Sequence, residues 1–338
     1  MRNSCDMLLP TCPGGFMRAI HIANFDGPSA VAFVDIAEPG AAPGEVLIDV
    51  HIAGVSFPEL LQTKGMYQMK PELPYVPGAE VAGVVRSAPV SSEFSPGDRV
   101  MAFSMMGGFA ETVAVAEHFV LPLPDSVSFE VGAAAGMNYL TMQFGLVRRG
   151  QLQAGETVLV HGAGGGIGTA TIQLAQAYGA QVIAVASSPE KADAARAAGA
   201  TRVVPTDGFK DAALELTSGR GVDMVVDPVG GDLFTDSLRC LAPEGRLLVI
   251  GFAGGEIPTV RVNRLLLNNI STVGVGLGAF LAPNPDYTRT LWDEITPLFE
   301  NGQLRPVVAE TLPLERAADA LVALDERRVN GKVLLAVR

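Results

Sequence analysis

Short runs of alternating apolar and polar residues fill the first third of the chain, and a period of two predicts strands. EVLIDVHIAGVSF (45–57), VAGVVRSAPV (81–90) and FAETVAVAEHFVLPLP (109–124) are rich in β-branched residues and bounded by Gly, Pro and Asp. Gly97-Asp98 stands before the apolar run at 100–103, as a turn stands before a strand. MRAIHI, beginning at Met17, reads as an opening strand. The preceding MRNSCDMLLPTCPGGF (1–16) has no period and reads as a disordered extension, or as the product of a start codon placed too early. This part of the chain is expected to form a mainly β domain.

The pattern changes after Phe129. FEVGAAAGMNYLTMQFGLVRRG (129–150) is rich in small residues and permits a helix. Strands and helices then alternate. TVLVHG (157–162) and QVIAVAS (181–187) flank a helix over about 167–178. Later strands are RVVP (202–205), VDMVVDPVG (222–230), RLLVIGF (246–252) and STVGVGL (271–277). Such alternation predicts an α/β fold with a doubly wound parallel sheet. After Pro283 the periods predict amphipathic helices near 286–300 and 314–327 and a last strand, KVLLAV (332–337).

A length of 338 residues favours two domains, and 48% hydrophobic residues suffice for two cores. The net charge of -12 argues against general nucleic-acid binding, which needs a basic face, but leaves room for a local anion site. Cys5, Cys12 and Cys240 are too few and too scattered for a disulfide framework, which fits a reducing compartment. No apolar run reaches the ~18 residues of a membrane span. Asp6, Pro10 and Pro13 interrupt any signal-like core, so the expected location is cytoplasmic, with no membrane partner.

The most informative segment is TVLVHGAGGGIGTATIQLA (157–175). An apolar strand turns through glycines and enters a helix. Gly162, Gly165 and Gly168 allow a tight turn, close approach to a diphosphate and close strand–helix packing. Ala163 stands where a strict G-x-G-x-x-G has glycine, so the strand-before, helix-after context carries the assignment. Cofactor choice turns on the end of the next strand. AVASSPEK (184–191) has Ser187 and Ser188 where an NAD-binding protein usually has an acid, and Lys191 and Arg196 follow. Small hydroxyls beside cations suit a 2′-phosphate and favour NADPH. Lys191 also reads as a solvated helix charge.

VLVHGAGGGIGTATIQLAQAYGAQVIAVASSPEKADAARAAGA (158–200) closely resembles the quinone-oxidoreductase (zeta-crystallin-like) branch of the medium-chain dehydrogenase/reductases. So do AGVSFPELLQTKGMY (53–67), LPYVPGAEVAGVV (73–85), GGFAETVAV (107–115), VDMVVDPVGG (222–231) and GKVLLAV (331–337), in the same order. The resemblance implies a GroES-like β domain over 17–138 and 283–338, with a Rossmann domain inserted at 139–282. It implies that Thr141 lines the nicotinamide side and that Ala163, Gly164, Gly165, Gly166, Ile167 and Gly168 cradle the diphosphate. Ser187 and Lys191 match positions that meet the 2′-phosphate, and Thr206 stands where some relatives have an adenine-side Tyr. Val229, Gly230, Phe252, Ala253 and Leu277 are expected to face the cofactor after successive strands, and Asn330 and Lys332 to close over it. An edge strand at 271–277 that pairs with its copy would make a homodimer.

Zinc-dependent relatives carry Cys and His-Glu where this chain has Ser56 and Ala79-Glu80, and no Cys lies between Cys12 and Cys240 for a four-cysteine lobe. The expected site is therefore metal-free. Glu80 reads either as a polar group on the site floor or as a buried, paired acid. His21, His51, His118 and His161 are dispersed and suit packing or hydrogen bonding. Tyr67, Ser56 and Asn138 are the candidate donors to a developing oxyanion, Tyr67 reading equally as a half-buried loop aromatic. The expected activity is NADPH-dependent hydride transfer to a quinone or similar electrophilic carbonyl compound. Enoyl-thioester or enone reduction, for which Arg261 and Arg264 could serve an acyl-CoA, is an alternative. So is an NADPH-binding regulatory role.

Overall fold

The computed structural model describes residues 15–338, so the expectation for 1–14 lies outside the described residues. The opening strand starts one residue before Met17: β1 (Phe16–His21) pairs antiparallel with β2 (Ala32–Ala37), and Ala19 bridges to Ala110. β3 (Glu45–Val55) stops short of the expected strand end at 57. Ser56 instead precedes helix α1 (Phe57–Thr63), whose Pro58 fits the first turn and whose Glu59 accepts the Ser56 N–H at 2.9 Å. β4 (Glu80–Ser87), β5 (Arg99–Phe103), β6 (Thr112–Ala116) and β7 (Val120–Pro122) complete the first run of strands.

Helix α2 (Phe129–Gln143), continued by a π turn at Phe144–Arg149, leads into β8 (Thr157–Val160) and α3 (Gly166–Ala177). Next come β9 (Gln181–Ala186), α4 (Pro189–Ala197), β10 (Arg202–Pro205), α5 (Phe209–Leu216), β11 (Val222–Asp227) and α6 (Leu233–Arg239). β12 (Leu241–Val249), α7 (Asn263–Asn268), β13 (Ser271–Gly274) and α8 (Leu277–Leu281) follow. The tail holds α9 (Tyr287–Glu300), β14 (Val308–Pro313), α10 (Ala317–Asp325) and β15 (Lys332–Ala336). The sequence pattern gave no sign of β14, which lies at a sheet edge and is mostly exposed. No helix among the described residues is long and apolar enough to cross a membrane.

Six parallel strands lie in the order β10-β9-β8-β11-β12-β13. The order reverses between β8 and β11, which opens a crevice at their carboxyl ends. The other sheet runs β14-β15-β3-β4-β5-β7, with β6 also on β3. Thus a GroES-like β domain sits beside a Rossmann-like parallel sheet, and the last strand, β15, pairs antiparallel with β3 of the first domain.

Alternation along β15 serves both sides of its sheet. Val333 and Leu335 enter the core formed by β3, β4 and β6, whereas Leu334 joins the larger core that includes α2, α3 and Trp292 of α9. Small residues let α2 lie flat on the strands. A Cβ on Gly54 would come within 2.6 Å of Ala133 O, and one on Gly136 within 3.1 Å of the Glu80 side chain. Leu334→Ala would leave a cavity where the tail strand meets α2. The expected loss is about 2–5 kcal/mol in denaturant-midpoint measurements, with Val308→Ala on the exposed part of β14 nearly neutral.

Candidate active site

The glycine loop sits at the switch point between β8 and β11. Gly162 adopts φ +57 and Gly165 caps α3 without a side chain. The first intrahelical bond runs from Thr169 N–H to Gly165 O (2.9 Å), leaving the amides of Gly166, Ile167 and Gly168 at the helix start for an anion. A Cβ on Gly168 would fall 2.3 Å from Gly162 O, and one on Gly164 would meet the Lys191 backbone at 2.7 Å. These two glycines hold the loop against its own strand and against α4. Ala163 is fully buried. A Cβ on Gly165 would meet only Gly162 O, at 3.4 Å, so that face is open to a ligand. This cradle fits a dinucleotide diphosphate.

Of the other predicted positions, Lys191, Val229 and Asn138 lie against the loop. Ser187 is exposed just past β9, while the neighbouring Ser188 caps α4 by accepting Lys191 N–H at 3.3 Å. Lys191 is half-buried, and Thr206 lies half-buried after β10. Val229 and Gly230 follow β11, their N–H groups both donating to Asp227 Oδ1 at 2.9 Å. β12 begins and ends earlier than the sequence suggested, so Phe252 and Ala253 lie in the following loop, Phe252 partly exposed beside Gly230. Leu277 is not at a strand end. It begins α8 and is buried. Thr141 and Asn138 are buried on α2, and the Asn138 amide packs on Gly166, where a Cβ would come within 2.4 Å of Nδ2.

The tail reaches the same loop. Gly331 donates to Gly164 O at 2.8 Å and forms a parallel bridge with Gly165, while Asn330 beside it is half-buried. Arg327 donates to Ala253 O at 3.1 Å. Gly331 has φ +105, and a Cβ there would strike Val307 O at 2.3 Å. Lys332 departs from the expectation that it closes over the cofactor. Its ammonium points into the protein and donates to Glu80 Oε1 and Ser56 Oγ, with 4% of the side chain exposed. The reason is parity: Lys332 shares the β15 face of Leu334, which looks inward.

Glu80 is therefore the paired buried acid of the two readings the sequence allowed. Its Oε1 also accepts the Ser56 hydroxyl at 2.9 Å, and its Oε2 accepts Met137 N–H at 2.6 Å from α2. Ser56 is corrected accordingly. Its single proton goes to Glu80 and it accepts from Lys332, so it has no proton left for a substrate. Sequence reasoning missed Glu59, which is fully buried and accepts Ser56 N–H and Ala79 N–H at 2.9 Å each. The Ser-x-x-Glu spacing of a capping box was the available signal. Burial pushes the Glu59 carboxyl up to about 7; Lys332 pulls it down and Glu80 pushes it further up. Tyr67 is half-buried, its phenol raised first by burial and then by the charge of Glu59.

His161 closes β8 beneath the glycine loop. Its Nε2 lies 2.7 Å from Ser237 Oγ, its ring meets Phe209 edge-on at 4.7 Å, and its Nδ1 is buried without a partner among the described residues. Burial drives its pKa down to about 4, against a smaller upward pull from Asp227. It is a packing histidine, as expected.

A dinucleotide cradle pressed between a GroES-like domain and a Rossmann-like sheet defines a class of two-domain oxidoreductases. Residues 42–125 match the alcohol dehydrogenase GroES-like domain, and 166–296 match the zinc-binding dehydrogenase model. The chain belongs to the medium-chain dehydrogenase/reductase family, in its quinone oxidoreductase branch. Among its relatives, the Bos taurus quinone oxidoreductase-like protein 2 is 38% identical over 301 residues, 88% of this chain and 86% of that protein. A probable oxidoreductase from Mycobacterium abscessus is 46% identical, covering 96% of this chain and 100% of that one with a TM-score of 0.89. A mycobacterial protein solved in complex with NADPH is 31% identical, covering 95% and 100% with a TM-score of 0.88.

The zinc of the matched model's description meets a poor donor set here. Ser56 and Glu80 are already bridged by a cationic ammonium, Ala79 offers no ligand, and among the described residues no three His, Cys, Asp or Glu side chains converge.

Two outcomes follow from this geometry. Gly168→Ala is expected to abolish dinucleotide binding in a fluorescence titration, because its methyl group would push Gly162 O out of the loop. For pH, the folded protein keeps His161 neutral, whereas the unfolded chain takes up a proton near the ordinary value of 6.5. Its stability contribution is thus present above that value and lost as pH falls towards about 4, by up to about 3 kcal/mol. His161→Gln should flatten this part of the unfolding profile.

Proposed function

We propose that this protein is a zinc-independent, NADPH-dependent reductase acting on a quinone or similar electrophilic carbonyl compound. The observation that carries the reading is the Ser56–Glu80–Lys332 cluster. It places a fixed protein cation, tied through Gly331 to the glycine loop, at the positions where zinc relatives hold ligands. With no Lewis acid to polarise an alcohol, an acceptor that is already electrophilic is the better match.

When bound, NADPH supplies a hydride from its nicotinamide C4. The amides of Gly166, Ile167 and Gly168 would hold the diphosphate, Ser187 and Lys191 would meet the 2′-phosphate and Thr141 would line the nicotinamide side, with Asn138, whose amide packs on Gly166, a second candidate donor. Tyr67 is the donor assigned to the acceptor oxygen, its raised pKa keeping the proton on the phenol through the physiological range. The catalytic domain comprises 17–138 and 283–338 and the cofactor domain 139–282. A homodimer through the β13 edge fits the exposed Val262, Leu266 and Leu267 nearby, and the cytoplasm fits the scarcity of cysteine.

Purified protein is expected to oxidise NADPH in the presence of 1,4-benzoquinone or 9,10-phenanthrenequinone, with no loss on adding a chelator. Lys191→Ala should raise the KM for NADPH by roughly three- to tenfold while leaving that for NADH unchanged. Turnover with crotonyl-CoA or an alkenone alone would move the function to enone reduction. Tight NADPH binding with no turnover on any acceptor would leave a binding role.

A further inference from the structure

Next to the contacts that Gly331 and Asn138 make with the glycine loop lie two buried carboxyl groups and one buried ammonium. Glu80 takes the whole of Lys332: it receives the ammonium, the Ser56 hydroxyl and the Met137 amide. Among the described residues Glu59, one helix turn past Ser56, has no cation of its own, and its direct partners are the backbone amides of Ser56 and Ala79. The Tyr67 and Tyr75 phenols both respond to its charge, and the Tyr75 hydroxyl is buried without a partner among the described residues. Lys332 is the strongest pull on Glu59 towards its ionised form. Ionised Glu59 therefore gives the cluster a net charge of minus one, and protonated Glu59 leaves it neutral.

Reduction brings a hydride, and with it negative charge, onto the acceptor. We propose that Glu59 is a positioning residue that sets the charge of the Ser56–Glu80–Lys332 cluster, a retained proton on Glu59 favouring hydride arrival and its loss slowing it. Glu59 does not touch the acceptor and passes no proton to it. The proton that completes the reduced product comes from Tyr67, which solvent reprotonates. The inference rests on the reductase reading above and concerns the regulation of that site.

Two readouts test it. Infrared difference spectra of the cofactor-free protein between about pH 6 and 8 should show the carboxylic C=O band of one buried acid disappearing as pH rises, and Glu59→Gln should lack that band. In the same range kcat/KM for benzoquinone at saturating NADPH should fall by about three- to tenfold in the unmodified protein and stay flat in Glu59→Gln. Glu59→Asp, which keeps a titrating acid, should restore a falling limb, so a poorly folding Gln variant does not end the test. Absence of the titrating band overturns the proposal. So does a band that titrates while the rate stays level, or a falling limb that survives in Glu59→Gln. Absence of turnover at every pH with every acceptor would overturn the reductase reading and the proposal together. Turnover without the Glu59-dependent limb would overturn the proposal alone.

Discussion

The Lys332 ammonium must lie against the Glu80 carboxylate, because either charge left alone at that depth would be costly. Breaking one side of a buried pair typically costs about 3–5 kcal/mol. Glu80 belongs to β4, Ser56 precedes α1, Met137 lies on α2 and Lys332 opens the last strand, so one electrostatic requirement fixes four parts of the chain at a point. The strand that delivers Lys332 also delivers Gly331, whose N–H reaches Gly164 of the glycine loop. Placing the charge thereby places the tail against the cofactor cradle. Residues far apart in sequence come to border one cleft because a single ammonium has one place to go.

The same requirement shapes the surrounding sequence. Gly54 and Gly136 leave room for the Glu80 side chain, which a Cβ at either position would meet at 2.7 or 3.1 Å. The run of small residues in α2 is thus a consequence of packing a helix directly over a buried carboxylate. The loop at 162–168 is crowded in a complementary way, closed by Lys191 and Ala163 on its packed sides and open at Gly165. One buried site is built for charge, the other for an anionic ligand, and the Asn138 amide lies on Gly166 on the cradle side, one residue past the Met137 amide that Glu80 holds.

Much of this was legible beforehand. Strands with a period of two, the strand–glycine–helix segment at 157–175 and the final KVLLAV depend on local patterns, and the fold follows them. Boundaries were less legible. Ser56 could end a strand or cap a helix, and only the reach of Glu59 back to its N–H decides. RLLVIGF extended a strand past Val249 because apolar residues continue into the loop that holds Phe252. The charge cluster was hidden for a different reason. Lys332 and Glu80 are 252 positions apart, and an isolated Lys in a tail carries no sign of whether it faces solvent or the interior. Its parity with Leu334 held that information, but only once the strand's partner on β3 was known.

The claim that one buried ion pair organises the cleft is most directly tested by a double-mutant cycle. Unfolding free energy and NADPH affinity would be measured for the unmodified protein, Glu80→Gln, Lys332→Met and the combination. A coupling of about 2 kcal/mol or more in stability is expected, each single variant losing NADPH affinity through the disturbed tail and the double variant recovering part of the stability. Additive single effects, or variants that bind NADPH as tightly as the unmodified protein, would contradict the account.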